Sequence, residues 1–185
     1  MNFKFNRNEK SFLGDMIIAT GIAWPVGFVV TIALSYGVVN LFYPEETNLI
    51  AGICIGAVVA FSQRLILKKY FAISTWWIFA AVIGIGLPFV IDFIFFELKG
   101  NESSITGIEI LDMAAIMFAG GLITGLLQHN SLKSHTSKFR WWIIVSAMAW
   151  GLGWCGLMLG GVVFGLISGI ALLNLLKLPV NAEMN

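Results

Sequence analysis

"GAVVAFSQRLILKKYFAISTWWIF" (residues 56–79) and "GLITGLLQHNSLKSHTSKFRWWII" (residues 121–144) lie sixty-five residues apart and align without a gap. Six of the nine identities fall on glycine, glutamine, lysine and tryptophan and three on aliphatics: Gly56/Gly121, Gln63/Gln128, Leu67/Leu132, Lys68/Lys133, Trp76/Trp141, Trp77/Trp142, Ile78/Ile143, Gly86/Gly151 and Leu87/Leu152. Each copy holds the end of one apolar segment, a short basic bend and the start of the next apolar segment. A passage written twice in this way specifies a repeated helical unit in which bend, polar residue and aromatic pair keep one spacing.

Around the two copies the chain is apolar almost throughout. Of 185 residues 58% are hydrophobic and 11% charged, and the mean hydropathy is +0.89; soluble domains carry about 25% charged residues. Segments of some 20 apolar residues cross a hydrocarbon core of roughly 30 Å. Six segments qualify or nearly so: Met16–Leu41, Leu49–Leu67, Trp76–Phe96, Leu111–Leu127, Trp141–Leu159 and Gly161–Leu176. The expected fold is an all-α integral membrane protein of six transmembrane helices. The expected organisation is an N-terminal segment 1–14, one transmembrane domain 15–178 built of hairpins 15–68, 76–133 and 141–178, and a tail 179–185.

Charge sets the orientation. Lys4, Arg7, Lys10, Arg64, Lys68, Lys69, Lys133, Lys138, Arg140 and Lys177 all fall on one side of the expected spans, with Lys99 alone opposite among Glu45, Glu46, Asp92, Glu97, Glu102, Glu109 and Asp112. The positive-inside rule places the basic side, and with it both termini, in the cytoplasm of a bacterial cell. The first segment is longer than a signal-peptide core and has no small-residue cleavage site after it, so it reads as retained.

A third, partial copy appears in the last segment, where Gly161, Gly165 and Ser168 match Gly121, Gly125 and Gln128 at a spacing of forty. The first segment supplies its odd-numbered partner, Gly21 and Pro25 matching Gly84 and Pro88. Three two-helix units entering in the same direction predict a pseudo-threefold bundle. Its third hairpin needs a very short outer turn, around Met158–Gly161.

The even-numbered helices carry Gly52 and Gly56, Gly121 and Gly125, and Gly161, Gly165 and Gly169 at four-residue spacing. Residues four apart share a helical face, and small ones let backbones approach, so these are expected to be helix-packing positions. Pro25 and Pro88 fall mid-helix and are expected to kink it. Gln63, Gln128 and Ser168 are candidates for an inward-facing polar ring, as interhelical hydrogen bonds or as a binding or permeation site. Asp92 and Asp112 are candidates for a cation entrance at the outer rim. Trp76, Trp77, Trp141 and Trp142 open helices beside basic bends and are expected to anchor at the headgroup level.

Catalytic signals are poor. His129 and His135 have no acidic neighbour in sequence to orient a base or complete a metal site, and Cys54 and Cys155 sit singly inside apolar segments. No catalytic residue, metal or cofactor is expected, and no basic, aromatic-interleaved surface suggests nucleic acid.

The motif G-x-x-x-[GA]-x-x-Q-x-x-x-L-K followed by a double tryptophan, as in Gly56–Lys68 with Trp76–Trp77 and Gly121–Lys133 with Trp141–Trp142, resembles one found in small polytopic bacterial membrane proteins of unknown activity. In size, helix count and cytoplasmic termini the chain is also similar to the substrate-capture subunits of energy-coupling-factor vitamin transporters. Two functions follow as expectations. One is a transport or substrate-binding module for a small solute or ion. The other is a non-catalytic membrane subunit or scaffold that holds a partner, or a second copy of itself, through glycine faces and basic bends. The lipid bilayer is the expected partner of either.

Overall fold

A computed structural model describes residues 6–39, 44–98, 109–133, 135–136, 138–156 and 159–176. Those residues form six helices and no strand: α1 (Arg7–Leu34), α2 (Pro44–Leu67), α3 (Trp76–Leu98), α4 (Glu109–Leu132), α5 (Trp141–Cys155) and α6 (Gly160–Leu176). A π-helical turn, Ser35–Val39, extends α1.

The helix ends follow local chemistry. α1 begins well before its apolar run because Asn6 and Glu9 form a capping box: the Asn6 side chain accepts from the Glu9 N–H at 2.9 Å, and the Asn6 N–H donates to Glu9 Oε2 at 2.7 Å. Two of the free N–H groups that every helix start exposes are thereby satisfied. α1 and α3 run as helix through Pro25 and Pro88. α5 stops at Cys155, four residues before the expected end of its span, where the Gly156 N–H closes back on Leu152 O and Gly153 O at 3.1 Å.

Each helix packs on its neighbours in sequence, and α6 returns to pack on α1, so the six form a closed ring. The core inside the ring has two layers. Phe12, Met16, Leu67, Trp77, Leu132, Trp142 and Leu172 fill the half next to the basic bends. Trp24, Ile55, Val59, Ile85, Phe89, Met117, Trp150 and Phe164 fill the other half.

The outward faces are apolar as well. Ile18, Ile22 and Val29 on α1, Phe61 on α2, Phe79, Ile83 and Ile91 on α3, Leu126 on α4, Ile144 and Leu152 on α5, and Leu166 on α6 are exposed. Among the described residues Arg7–Gly37 and Thr47–Leu67 are long and apolar enough to cross a membrane, while Trp76–Ile91, Trp141–Cys155 and Gly160–Leu176 are shorter apolar helices.

Candidate functional site

The two sequence copies build the same hydrogen bond. Trp77 donates its indole N–H to Gln63 Oε1 at 3.3 Å, and Trp142 donates to Gln128 Oε1 at 2.9 Å, with fourteen residues between the partners in each case. Gln63 sits one turn before the end of α2 and Trp77 is the second residue of α3, so a bend of fixed length brings amide and indole to one level. Each amide nitrogen also donates once. Gln63 Nε2 donates to Ser168 Oγ at 3.3 Å, Gln128 Nε2 donates to the Trp77 carbonyl at 3.1 Å, and Ser168 Oγ donates to Phe164 O at 2.7 Å. A continuous chain, Ser168–Gln63–Trp77–Gln128–Trp142, therefore crosses the bundle with all five side chains buried. The Trp77 and Trp142 rings stand 5.5 Å apart within it.

Gln63 bonds Ser168 directly and Gln128 joins them through Trp77, while the tryptophans divide. Trp76 and Trp141 are 41% and 62% exposed, whereas Trp77 and Trp142 are 0% and 1% exposed and belong to the core. Consecutive helical residues point about 100° apart, so one of each pair must face inward. Trp76 and Trp141 are the outward pair; the other two are the donors that bond the glutamines. The signal was present in the sequence as the shared spacing from Gln63 to Trp77 and from Gln128 to Trp142.

The glycines place α6 in the ring and correct its alignment. A Cβ on Gly121 would stand 2.7 Å from both Ser146 O and Ala147 Cα and 3.0 Å from Trp150 Cβ. On Gly56 it would stand 3.1 Å from Ala81 O and 3.4 Å from Ile85 Cβ, each sixty-five residues earlier than a Gly121 partner. On Gly165 it would stand 2.9 Å from Met16 O and from Ile17 Cα and would overlap Thr20 Oγ1, again the corresponding positions of α1. Gly125 meets Ile143 and Ser146, and Gly169 meets Leu13 and Met16. Gly52 meets Phe89 and Ile85 O, and Gly161 meets Trp24 and Thr20 O.

By these contacts Gly165 takes the place of Gly121 and Gly169 that of Gly125, a spacing of forty-four. The alignment at forty is one helical turn out of register. Four-residue glycine spacing repeats along α6, so sequence matching could slide by a turn; the neighbouring backbone cannot.

In this register α6 and α1 carry no glutamine–tryptophan pair. Leu172 stands where Gln63 and Gln128 stand, and Phe12 stands where Trp77 and Trp142 stand; both are fully buried in the same core layer. An indole donor with an amide acceptor is replaced by two apolar side chains, and neither is left unsatisfied. Ser168, one turn away, joins the network through Gln63 instead.

Asp92 and Asp112 lie on α3 and α4, and their side chains are outside the described residues. Among the described residues no three of His, Cys, Asp and Glu converge as a metal site. His129 stacks on Phe139 with ring centroids 5.4 Å apart, and His135 meets Phe71 edge-on at 5.9 Å. The bends carry exposed Lys68, Lys69, Lys133, Lys138 and Arg140; Lys69 pairs with Asp15 at 3.1 Å, and Arg64 Nε donates to Ser74 O at 3.2 Å.

In comparisons with known proteins the chain matches no protein-family model, no curated protein and no solved structure.

Proposed function

We propose that the chain is a small integral membrane module that binds or passes a small solute or ion within a pseudo-threefold ring of three tandem two-helix repeats. The observation that carries the membrane part is the exposed apolar surface on all six helices, around a core that holds the buried amides. Soluble monomers rarely expose contiguous apolar patches beyond a few hundred Å². Helices that meet through glycine and through hydrogen-bonded amides are the form association takes in lipid, where apolar burial between helices brings no gain over lipid contact. The basic bends then face the cytoplasm.

Within that reading Gln63, Gln128 and Ser168 act as the structural belt of the ring. Both amide oxygens accept from indoles and each amide nitrogen donates once within the core, so these groups hold helices together. Solute binding belongs to the opposite half of the core, where buried polar atoms are unpartnered. Asp92 and Asp112 remain the candidate charged rim on that side.

The exposed lysines and arginines of the bends favour a second reading, a membrane subunit that docks an acidic partner on its cytoplasmic face. The glycine faces offer that partner nothing, because each meets a helix of its own chain.

The experiment is a density map of the purified protein in lipid nanodiscs. Solute or ordered water in the outer half of the ring supports binding or transport. A dry ring with a companion chain on the bends supports the subunit reading. A protein that stays soluble and monodisperse without detergent or lipid overturns both.

A further inference from the structure

The two basic bends keep one length but differ in what their charges do. In the first, Arg64 Nε donates to Ser74 O at 3.2 Å, and Lys69 pairs with Asp15 at 3.1 Å. The Trp76 indole N–H donates across to Leu127 O on α4 at 2.9 Å. One exposed cation, Lys68, is left free. In the second copy His129 and Phe139 stand sixty-five residues on from Arg64 and Ser74, and they close the bend by stacking, with ring centroids 5.4 Å apart. That closure uses neither lysine nor arginine.

The cations of the second bend are therefore free. Lys133, Lys138 and Arg140 are exposed, and their side chains meet no acid and no hydrogen-bond acceptor among the described residues. Trp141, the counterpart of Trp76, is more exposed than Trp76, and its indole N–H has no partner among those residues either. Arg140 immediately precedes α5 and Trp141 is its first residue, so positive charge and an indole donor stand together at the head of that helix.

Below this head the outward face of α5 is apolar. Trp141, Ile144, Met148 and Leu152 are all exposed. Spacings of three and four keep them on one helical face, over about 16 Å at 1.5 Å per residue. On α3 the matching stripe is Trp76, Phe79, Ile83 and Leu87. The stripe is thus common to both copies, while the cluster of free cations belongs to the second alone. An anionic phospholipid matches both parts at once: its phosphate suits the cations, and an acyl chain suits the stripe. An acidic protein segment would use the charges and leave the stripe unused.

We propose that the α4–α5 bend binds the headgroup of an anionic phospholipid of the inner leaflet. Lys138 and Arg140 hold the phosphate, the Trp141 N–H donates to a headgroup oxygen, and an acyl chain lies along Ile144, Met148 and Leu152. Lys133 adds to the positive field at the same bend. The proposal rests on the membrane-module reading and on its orientation, and it names a lipid partner for that module. Each basic residue near an anionic leaflet strengthens such binding severalfold.

The test is native mass spectrometry of the full chain released from detergent micelles, titrated separately with dioleoyl phosphatidylglycerol and dioleoyl phosphatidylcholine. Saturable binding of phosphatidylglycerol, at least about tenfold tighter than phosphatidylcholine, is expected. Lys138→Gln with Arg140→Gln should remove the preference. Lys10→Gln with Lys68→Gln takes the same charge from exposed positions on the same side and should leave it within about twofold. Trp141→Phe removes the indole donor at an exposed position and should weaken binding roughly threefold, with melting unchanged.

Equal affinity for the two lipids overturns the proposal. Equal weakening by the two double changes also overturns it, because a basic face would then attract anionic lipid without a site. If glycerol phosphate displaces the lipid at matching concentration, the stripe contributes nothing and the lipid assignment falls. A companion chain seated on Lys138 and Arg140 in the nanodisc density has the same effect. Each of these outcomes leaves the membrane module standing, whereas a chain that stays monodisperse in buffer alone removes both.

Discussion

Trp142 and Gln128, fourteen residues apart across a basic bend, meet at 2.9 Å in the interior of the ring, and Trp77 meets Gln63 in the same way at 3.3 Å. Each bond ties the start of an odd-numbered helix to the end of the even-numbered helix before it. The bend length is thereby held to one value, and the two helices to one relative height.

Gln128→Leu removes the acceptor and leaves the Trp142 N–H buried and unpaired. The expected cost is about 1–3 kcal/mol of stability. Trp142→Phe in the same chain removes the donor, so the double variant should be less destabilised than the sum of the two single ones. Reversible unfolding in mixed micelles checks this through a double-mutant cycle; strict additivity would mean that the bond contributes nothing.

Phe12 and Leu172 occupy the places of Trp77 and Gln63 in the third unit. Phe12→Trp and Leu172→Gln each bury one unsatisfied polar group and should each destabilise. Together they should recover at least about 1 kcal/mol by forming a third indole–amide bond. If the paired change is as damaging as the two single losses added together, the forty-four-residue register of α6 is wrong.

Glycine contacts predict a graded series. Gly121→Leu and Gly165→Leu drive side chains into Ala147 and Ile17 backbone and should abolish monodispersity in detergent, with Gly56→Leu close behind. Gly14→Ala meets nothing within 4 Å and should be neutral or slightly stabilising. Size-exclusion profiles and melting curves distinguish the classes; a Gly165→Leu protein indistinguishable from the parent would refute close packing of α6 on α1.

Orientation is testable by labelling. Single cysteines at Lys68 and Lys133, in a chain with Cys54 and Cys155 replaced by Ala, should resist a membrane-impermeant maleimide in intact cells and react after permeabilisation. Reaction in intact cells would invert the proposed topology.

The sequence alone determined the six helices and the paired bends, because apolar run length and residue spacing are properties of one segment at a time. Asp15 with Lys69, Trp77 with Gln63 and the closure of α6 on α1 depend on which segments lie side by side. A double tryptophan reads as two anchors until a bundle axis says which of the two faces inward. Glycines spaced by four fit an alignment equally well at forty or forty-four, since a helix looks much the same after one turn. Only the fixed positions of Met16, Ile17 and Thr20 on α1 remove that freedom. The unpaired Trp24 donor and the free cations of the second bend are likewise tertiary facts: a donor is unsatisfied, and a charge free, only relative to what surrounds it.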